Sequence, residues 1–276
     1  MNKEHGGDAA EWHDAAMADS LSELADPAPS EQAPADFALS ILRRAGVPPR
    51  AYDVYALLDA PGGGLYVASD GTMLTCAALG IVTPGPEDFE AYYRARTGRT
   101  AVRTTIAPTG VRTALRTGRA KQLSLDLSPL SASEQAALAV VRTIPRGQMR
   151  PVSWIAREAT LPDRAAVVAA VLRNPLQLII PCHRVAYDNG RPCDTAYGPA
   201  VSDELRAAEG IEADHLDSLA RQHTLYLGSD TTRIYCHPTC AHARRITTLH
   251  QVPFRSAHSA RQAGYRPCKS CRPAAA

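Results

Sequence analysis

Lysine is almost missing from this sequence. Of its 30 basic residues only Lys3, Lys121 and Lys269 are lysines, and the other 27 are arginines. Aromatic residues are scarce too, at 5% of 276 positions. No apolar run reaches the roughly 18 residues that a membrane-spanning helix needs, so no such span is expected. The opening stretch MNKEHGGDAAEWHD is acidic and has no apolar segment of the kind a secretory signal carries, so none is expected. Seven cysteines is an odd number, which argues against a closed disulfide scaffold, and four of them fall in the last 41 residues. That crowding favours metal ligation or reactive thiols in a reducing compartment. Apolar residues, by contrast, make up 45% of the chain, enough for a sizeable core in one large domain or two to three small ones.

The net charge of +2 conceals an asymmetry. Residues 1–36 carry one Lys against nine Asp and Glu, leaving +10 on the remainder. Residues 215–276 alone hold nine Lys and Arg against Asp217 and Asp230. A basic body suits a polyanion, nucleic acid first, although ordinary solvated charge reads the same way. The arginine excess suits phosphate forks, but a GC-rich genome produces it as well.

Along the chain, residues 1–35 read as a disordered acidic tail. Asp36 can cap a short helix with Phe37, Ile41 and Leu42 near one face. Leu65–Ser69, Asp70-Gly71 and Thr72–Leu79 read as a β-hairpin. Asp88 to Arg96 reads as a helix, and 99–127 as strand and loop. Ser131-Ala-Ser-Glu134 is a capping box ahead of a helix carrying Leu138 and Val141. A second helix starts at Ser153. A third, Arg164 to Arg173, is capped by Asp163 and stopped by Asn174-Pro175. The last two resemble a helix-turn-helix, and a plain helical hairpin gives the same pattern. The third reads AAVVAAVL between its arginines, which suits either close approach to a minor groove or burial.

Leu176–Ile180 reads as an apolar strand, followed by Pro181-Cys182-His183-Arg184-Val185. A thiol beside imidazole and guanidinium groups can be an activated nucleophile of depressed pKa, or a buried structural cysteine. The wider string includes Arg142-Thr-Ile-Pro-Arg-Gly147, Arg173-Asn-Pro, Ile-Ile-Pro-Cys-His-Arg-Val and Ala208-Glu209-Gly210. Over about 130–212 it resembles the O6-alkylguanine-DNA alkyltransferases. The resemblance implies that a damaged guanine is flipped out of DNA and passes its O6-alkyl group irreversibly to Cys182. It further implies that Glu209 orients His183, that His183 deprotonates Cys182 through a water, and that Asn174 holds the turn presenting the motif. Three positions depart from the family pattern. Val152 stands in place of a Tyr. Ala165 stands where an Arg finger would fill the vacated base site, with Arg164 one place away. The pocket loop reads Cys193-Asp194-Thr195.

Cys236-His-Pro-Thr-Cys240 and Cys268-Lys-Ser-Cys271, with 27 residues between them, form a four-cysteine zinc signature. His237, His242, His250 and His258 are competing ligands. The string around them, from Gly228 through Ala-Arg-Arg-Ile and Val-Pro-Phe-Arg-Ser to Tyr-Arg-Pro-Cys-Lys-Ser-Cys-Arg-Pro, closely resembles the Ada-type metal-binding domain over about 222–273. That resemblance implies that Cys236, besides ligating zinc, accepts a methyl group from a DNA methylphosphotriester. A purely structural ligand is the alternative. It also implies that Arg244, Arg245, Arg255 and Arg266 hold phosphates around Cys236. Arg164 and Arg184 complete the expected DNA contacts.

Together the resemblances imply a bacterial, cytoplasmic, nucleoid-associated DNA alkylation-repair methyltransferase acting once per chain. A probe of alkylated DNA that binds without transfer, a sensor or regulator, is the alternative. The expected parts are a tail (1–35), a ribonuclease-H-like α/β subdomain (36–127), a helical, winged helix-turn-helix-like acceptor domain (128–214) and a small α+β zinc module (215–276). One Zn²⁺, damaged or double-stranded DNA as partner, and a monomer are expected.

Overall fold

In the computed structural model, residues 36–61 and 63–273 are described, so the expected acidic tail lies outside the described residues. The chain opens with α1 (Phe37–Arg44). Of the expected face only Leu42 packs inward, beside the buried Leu39, whereas Phe37 and Ile41 are exposed. The Asp36 carboxylate does not cap the helix. It accepts from Thr104 Oγ1, Thr105 N and Thr105 Oγ1, tying the helix to a loop 68 residues on.

Strands β1 (Asp53–Leu58), β2 (Leu65–Ser69), β3 (Leu74–Leu79) and β4 (Ala101–Arg103) form one sheet in the order β3-β2-β1-β4. The expected hairpin is β2–β3, paired antiparallel from Leu65↔Leu79 to Ala68↔Cys76. Its turn is held by Asp70 Oδ1, which accepts from Thr72 N and Met73 N. Helix α2 (Pro86–Thr97) crosses back to β4, which lies parallel to β1. One sheet face packs Tyr55, Tyr66, Phe89 and Tyr93, a concentration of the few aromatics this chain has. The stretch 99–127 also contains a helix that the pattern did not reveal, α3 (Val111–Thr117). Its flanking Gly110 and Gly118 and its β-branched residues hide a two-turn element from periodicity.

Helix α4 (Ala132–Val141) begins at the expected box: Ser131 Oγ accepts from Glu134 N, and Glu134 Oε2 from Ser131 N. The short β5 (Arg150–Pro151) leads into α5 (Val152–Glu158) and α6 (Ala165–Leu172). Asp163 Oδ1 accepts from Ala165 N, as expected of a cap. Val167, Ala170 and Val171 enter the main core with Leu138, Val141 and Ile155. The outer side of α6 presents Ala165, Ala169 and Leu172 to solvent.

Leu176–Ile180 is a correction. It is not a strand but a tight turn bridged from Leu176 to Ala77 and from Gln177 to Ile180, with Leu178 at φ 62°. A short buried apolar run has one sequence signature whether it is extended or folded back. Cys182–Arg184 form a 3₁₀ turn, and β6 (Val185–Ala186) pairs parallel with β5. Helices α7 (Gly198–Ala207) and α8 (Ala213–Arg221) follow. The C-terminal sheet has the order β10-β8-β7-β9, from β7 (Tyr226–Ser229), β8 (Ile234–Cys236), β9 (Gln251–Phe254) and β10 (Arg266–Pro267). Helix α9 (Ala257–Gln262) packs on it. Among the described residues, no helix is long and apolar enough to cross a membrane.

Candidate active site and metal centre

The turn before Cys182 is fixed by one side chain. Asn174 donates from Nδ2 to Ile180 O (3.0 Å) and to Cys182 Sγ (3.2 Å), while its Oδ1 accepts from Leu176 N (3.0 Å). An amide alone offers both donors and an acceptor at this reach, so the buried Asn174 closes the loop and sets the thiol in one stroke.

Behind the thiol lies a buried charge network. Glu209 accepts from His183 Nε2 (3.1 Å), from Arg184 Nη2 (2.7 Å) and Nε, and from Gly147 N (2.8 Å). Burial works against this carboxylate, but the His183 and Arg184 hydrogen bonds outweigh it and hold its pKa at about 2. A carboxylate accepting at Nε2 requires that nitrogen to carry the proton, which leaves the lone pair on Nδ1. That Nδ1 is buried and has no partner. Burial also pushes the His183 pKa below its ordinary value despite Glu209, so the ring is a neutral base at pH 7.

Two expectations fail here. The first is a depressed pKa for Cys182. Burial pushes the thiol up to about 12, and the Asn174 hydrogen bond only moderates this. The guanidinium beside it in sequence is spent on Glu209, so it does not stabilise a thiolate. The second is Arg184 as a phosphate contact. Its side chain is 5% exposed, and its Nη1 donates to Ile144 O (2.7 Å). Adjacency in sequence says nothing about direction: in a 3₁₀ turn consecutive side chains diverge.

A consequence can be measured with iodoacetamide, which reacts with thiolate only. For Cys182 we expect slow modification at pH 7 that climbs roughly tenfold per pH unit with no plateau below about pH 10. A plateau between pH 6 and 8, read by peptide mapping, would show a depressed pKa after all.

Sequence reasoning gave no role to Gly147. Its φ is 71°, and a Cβ there would stand 2.8 Å from Glu209 O, so only glycine lets this turn lie against the carboxylate residue. Arg206, 1% exposed, was also missed. It grips Asp194 (2.7 Å) and Asp203 (2.6 Å), anchoring the Cys193–Tyr197 loop to α7. Gly147 closes the quoted Arg142–Gly147 string, which marked it without showing its role, and Arg206 lies in no motif, so the sequence carried no signal for it.

The second centre is the cluster of Cys236, Cys240, Cys268 and Cys271, whose sulfurs all lie within 4.8 Å of one another and are buried. Zinc–sulfur bonds of about 2.3 Å place tetrahedral sulfurs roughly 3.8 Å apart, so the four thiols fit one Zn²⁺. Four thiols this close cannot all ionise without a cation: hydrogen bonds from Cys240 and Cys271, then burial, push the Cys236 thiol up. None of the four candidate histidines, His258 included, joins the cluster. His237 packs on Tyr226, His242 meets Ser270 Oγ (3.0 Å) and His250 meets Asp230 (2.9 Å).

The two centres adjoin. Thr239, between two of the cysteines, accepts from Met149 N (2.7 Å). Next to it, Arg150 is 3% exposed; burial lowers its pKa below the usual arginine range, and the four cysteines nearby work against that shift. Its guanidinium lies over Trp154 at 5.5 Å. Its backbone pairs with Val185, just after the Cys182 turn.

Of the four arginines expected around Cys236, two share its cavity and two lie elsewhere. Arg245 and Arg266 line a cavity of about 540 Å³ together with Cys236, Cys268 and Lys269. Arg244 instead lies against Gly147, with Nη1 3.2 Å from where a Cβ would stand. Arg255 and Arg164 line a different cavity, between α5 and the C-terminal sheet, and Arg164 pairs with Asp188 at 2.9 Å. A third cavity, of about 380 Å³, is lined by Pro181, His183, Arg184 and Glu209 on one side and by Arg112 and Arg116 on the other.

Comparison with known proteins follows the same division. Residues 132–211 match the family model described as the DNA-binding domain of 6-O-methylguanine DNA methyltransferase. Residues 216–274 match that described as the metal-binding domain of Ada. Methylated-DNA–protein-cysteine methyltransferases of Methanothermobacter thermautotrophicus and Methanosarcina acetivorans are each 33% identical, over 90 and 95 residues. Those matches cover 33% and 34% of this chain and 51% and 61% of the relatives, so the chain spans little more than half of their length. A crystal structure of Mycobacterium tuberculosis OGT in complex with DNA is 28% identical with a TM-score of 0.44, covering 59% of this chain and 98% of that one. Both resemblances drawn from the motifs therefore stand.

Proposed function

We propose that this chain repairs alkylated DNA by taking the alkyl group from O6-alkylguanine onto Cys182, once per molecule. The observation that carries this reading is the pairing of a thiol set by Asn174 with a neutral imidazole whose tautomer is fixed by Glu209. His183 takes the thiol proton through a water. In the same step the sulfur attacks the alkyl carbon, a C–S bond forms, the C–O6 bond breaks with its electron pair going to guanine, and the proton ends on the released base. A thiol of high pKa is no obstacle when its proton leaves during the attack. In this reading 36–127 is a ribonuclease-H-like scaffold, 128–214 a winged helix-turn-helix-like acceptor domain and 215–276 a zinc module, and α6 offers its small outer residues to the duplex. When bound, zinc would hold the Cys236 sulfur ionised, and Cys236 would take a methyl group from a phosphotriester, the S–C bond forming as the methyl C–O bond breaks and leaves a phosphodiester anion.

The test is methyl uptake from O6-methylguanine DNA. Wild-type protein should gain at most one methyl per Cys182, and Cys182→Ala should gain none there. One observation favours a second reading, recognition of the lesion without transfer: Cys182 has no exposed surface. Tight binding of the lesion without any methyl on Cys182 would establish that reading instead.

DNA affinity should fall with salt. Because Arg245 and Arg266 flank Cys236 in one cavity, replacing both by Ala should reduce the slope of log K against log salt by about two. An unchanged slope, measured by fluorescence anisotropy on duplex DNA, would remove these residues from the phosphate contacts.

A further inference from the structure

Where the acceptor domain meets the zinc module lies a cavity of about 500 Å³ that neither cysteine centre uses. Helix α5 contributes Ala156 to its lining, α8 contributes Leu216 and Leu219, and the C-terminal module contributes Leu225, Tyr226 and Pro238. Neither Cys182 nor any of the four clustered cysteines lines it. Its volume falls within the roughly 300–1,000 Å³ of small-molecule sites, which concentrate where domains meet. A molecule bound there would touch both modules.

Two polar groups give this largely apolar space a direction. His237 lines it and is 4% exposed. The His237 Nε2 atom is buried and meets no hydrogen-bonding partner among the described residues. In either tautomer that nitrogen donates or accepts, and leaving it bare in the interior is costly. Stacking does not answer the need. The imidazole lies by Tyr226 with ring centroids 5.4 Å apart, a contact that occupies a face and leaves the nitrogen edge free. The second group is Arg255, which is exposed at the rim and, among the described residues, has no ion pair. The other two arginines of the lining are engaged, Arg164 with Asp188 (2.9 Å) and Arg157 with Glu158 (2.9 Å). The lining holds these three arginines against the single carboxylate of Asp188, a net +2 that favours an anion.

We propose that this cavity binds a small heteroaromatic anion: the ring lies among Leu219, Tyr226 and Pro238 with a polar edge on His237 Nε2, and the anionic group meets Arg255. A nucleoside monophosphate and an indole carboxylate share this chemistry. The site goes beyond alkyl transfer to Cys182 and stands or falls without it.

The test uses the full zinc-loaded chain and calorimetric titration with 2′-deoxyguanosine 5′-monophosphate, with indole-3-acetate, and with inorganic phosphate as the ringless control. At least one ring-bearing probe should bind with Kd below about 1 mM, and phosphate should bind roughly tenfold more weakly or worse. Binding of the nucleotide alone assigns the site to nucleotides, and binding of indole-3-acetate alone assigns it to aromatic acids; either result, or both, supports the proposal. Leu219 is half-buried, and Leu219→Trp places an indole in the cavity, so it should weaken binding about tenfold or more. Arg255→Ala and His237→Phe, which remove the outer and inner polar contacts, should each cost roughly fivefold. Failure of both ring-bearing probes to bind below about 1 mM overturns the proposal. Phosphate binding as tightly as they do also overturns it, since the ring then contributes nothing. Affinity unchanged in any of the three variants, in protein that melts cooperatively and keeps its zinc by elemental analysis, places the probe elsewhere and overturns it as well. Arg255 is exposed, so its variant decides the matter if Leu219→Trp does not fold.

Discussion

Replacing Glu209 by Ala should destabilise the protein by roughly 3–5 kcal/mol, the usual cost of stranding a buried charge. Glu209 is 9% exposed, and the partners it would abandon, His183 and Arg184, are 4% and 5% exposed. Arg184 cannot shed its proton, so its guanidinium would remain charged in the interior with only Ile144 O to meet it. Glu209→Gln keeps an acceptor oxygen and should lose less, while slowing any transfer at Cys182 because His183 is no longer held by a charge. The pH dependence has a definite sign. The folded carboxyl is depressed to about 2 from an ordinary 4.5, so its contribution is fully present above about pH 4.5 and is lost as pH falls through 2. Wild-type stability, followed by urea titration, should therefore decline across that window, and the Gln variant should lack this component. Equal stability of Glu209→Ala and wild type at pH 7 would mean that the network is not closed in solution.

The second large effect concerns zinc. Cys268→Ser combined with Cys271→Ser should abolish zinc binding and unfold the C-terminal module, because structural zinc contributes on the order of 10 kcal/mol to domains of this size. Little else holds that module: its two core clusters are small, and one is built from the four cysteines with Leu227 and Ala243. Damage should cross the junction. Arg150 would lose the thiolates that balance it, and Trp154, 5% exposed beneath Arg150 and Arg272, would lose its cover. In a Trp12→Phe background, stripping zinc with a chelator should shift the Trp154 emission to the red. Unshifted emission in protein shown by elemental analysis to be metal-free would separate the two centres.

Much of this was legible in the residues. The Asp70-Gly71 turn, the Ser131 box and the paired cysteines each have local chemistry that permits few alternatives, and each appears where the sequence puts it. The Cys182 site was legible in its members and not in its orientation. Asn174 and Glu209 reach the motif as expected, yet Arg184 turns inward and the thiol is buried. Both facts depend on long-range packing: Arg184 answers to a carboxylate 25 residues on. Leu176–Ile180 failed because a buried run of Leu and Ile looks alike as strand or bridged turn. Of the arginines after Cys240, Arg245 lies beside Cys236 as expected and Arg244 does not, because consecutive residues of a 3₁₀ turn, Ala243–Arg245, point to different neighbours.

The central claim is that Cys182 receives the alkyl group. Its most direct test is to incubate the intact zinc-loaded chain with DNA carrying isotopically labelled methyl on guanine O6, digest it, and map the label. The account requires label on the peptide containing Cys182, with no more than one methyl per chain, and none on that peptide in Cys182→Ala. A wild-type Cys182 peptide that stays unlabelled while the protein binds the same DNA would contradict it.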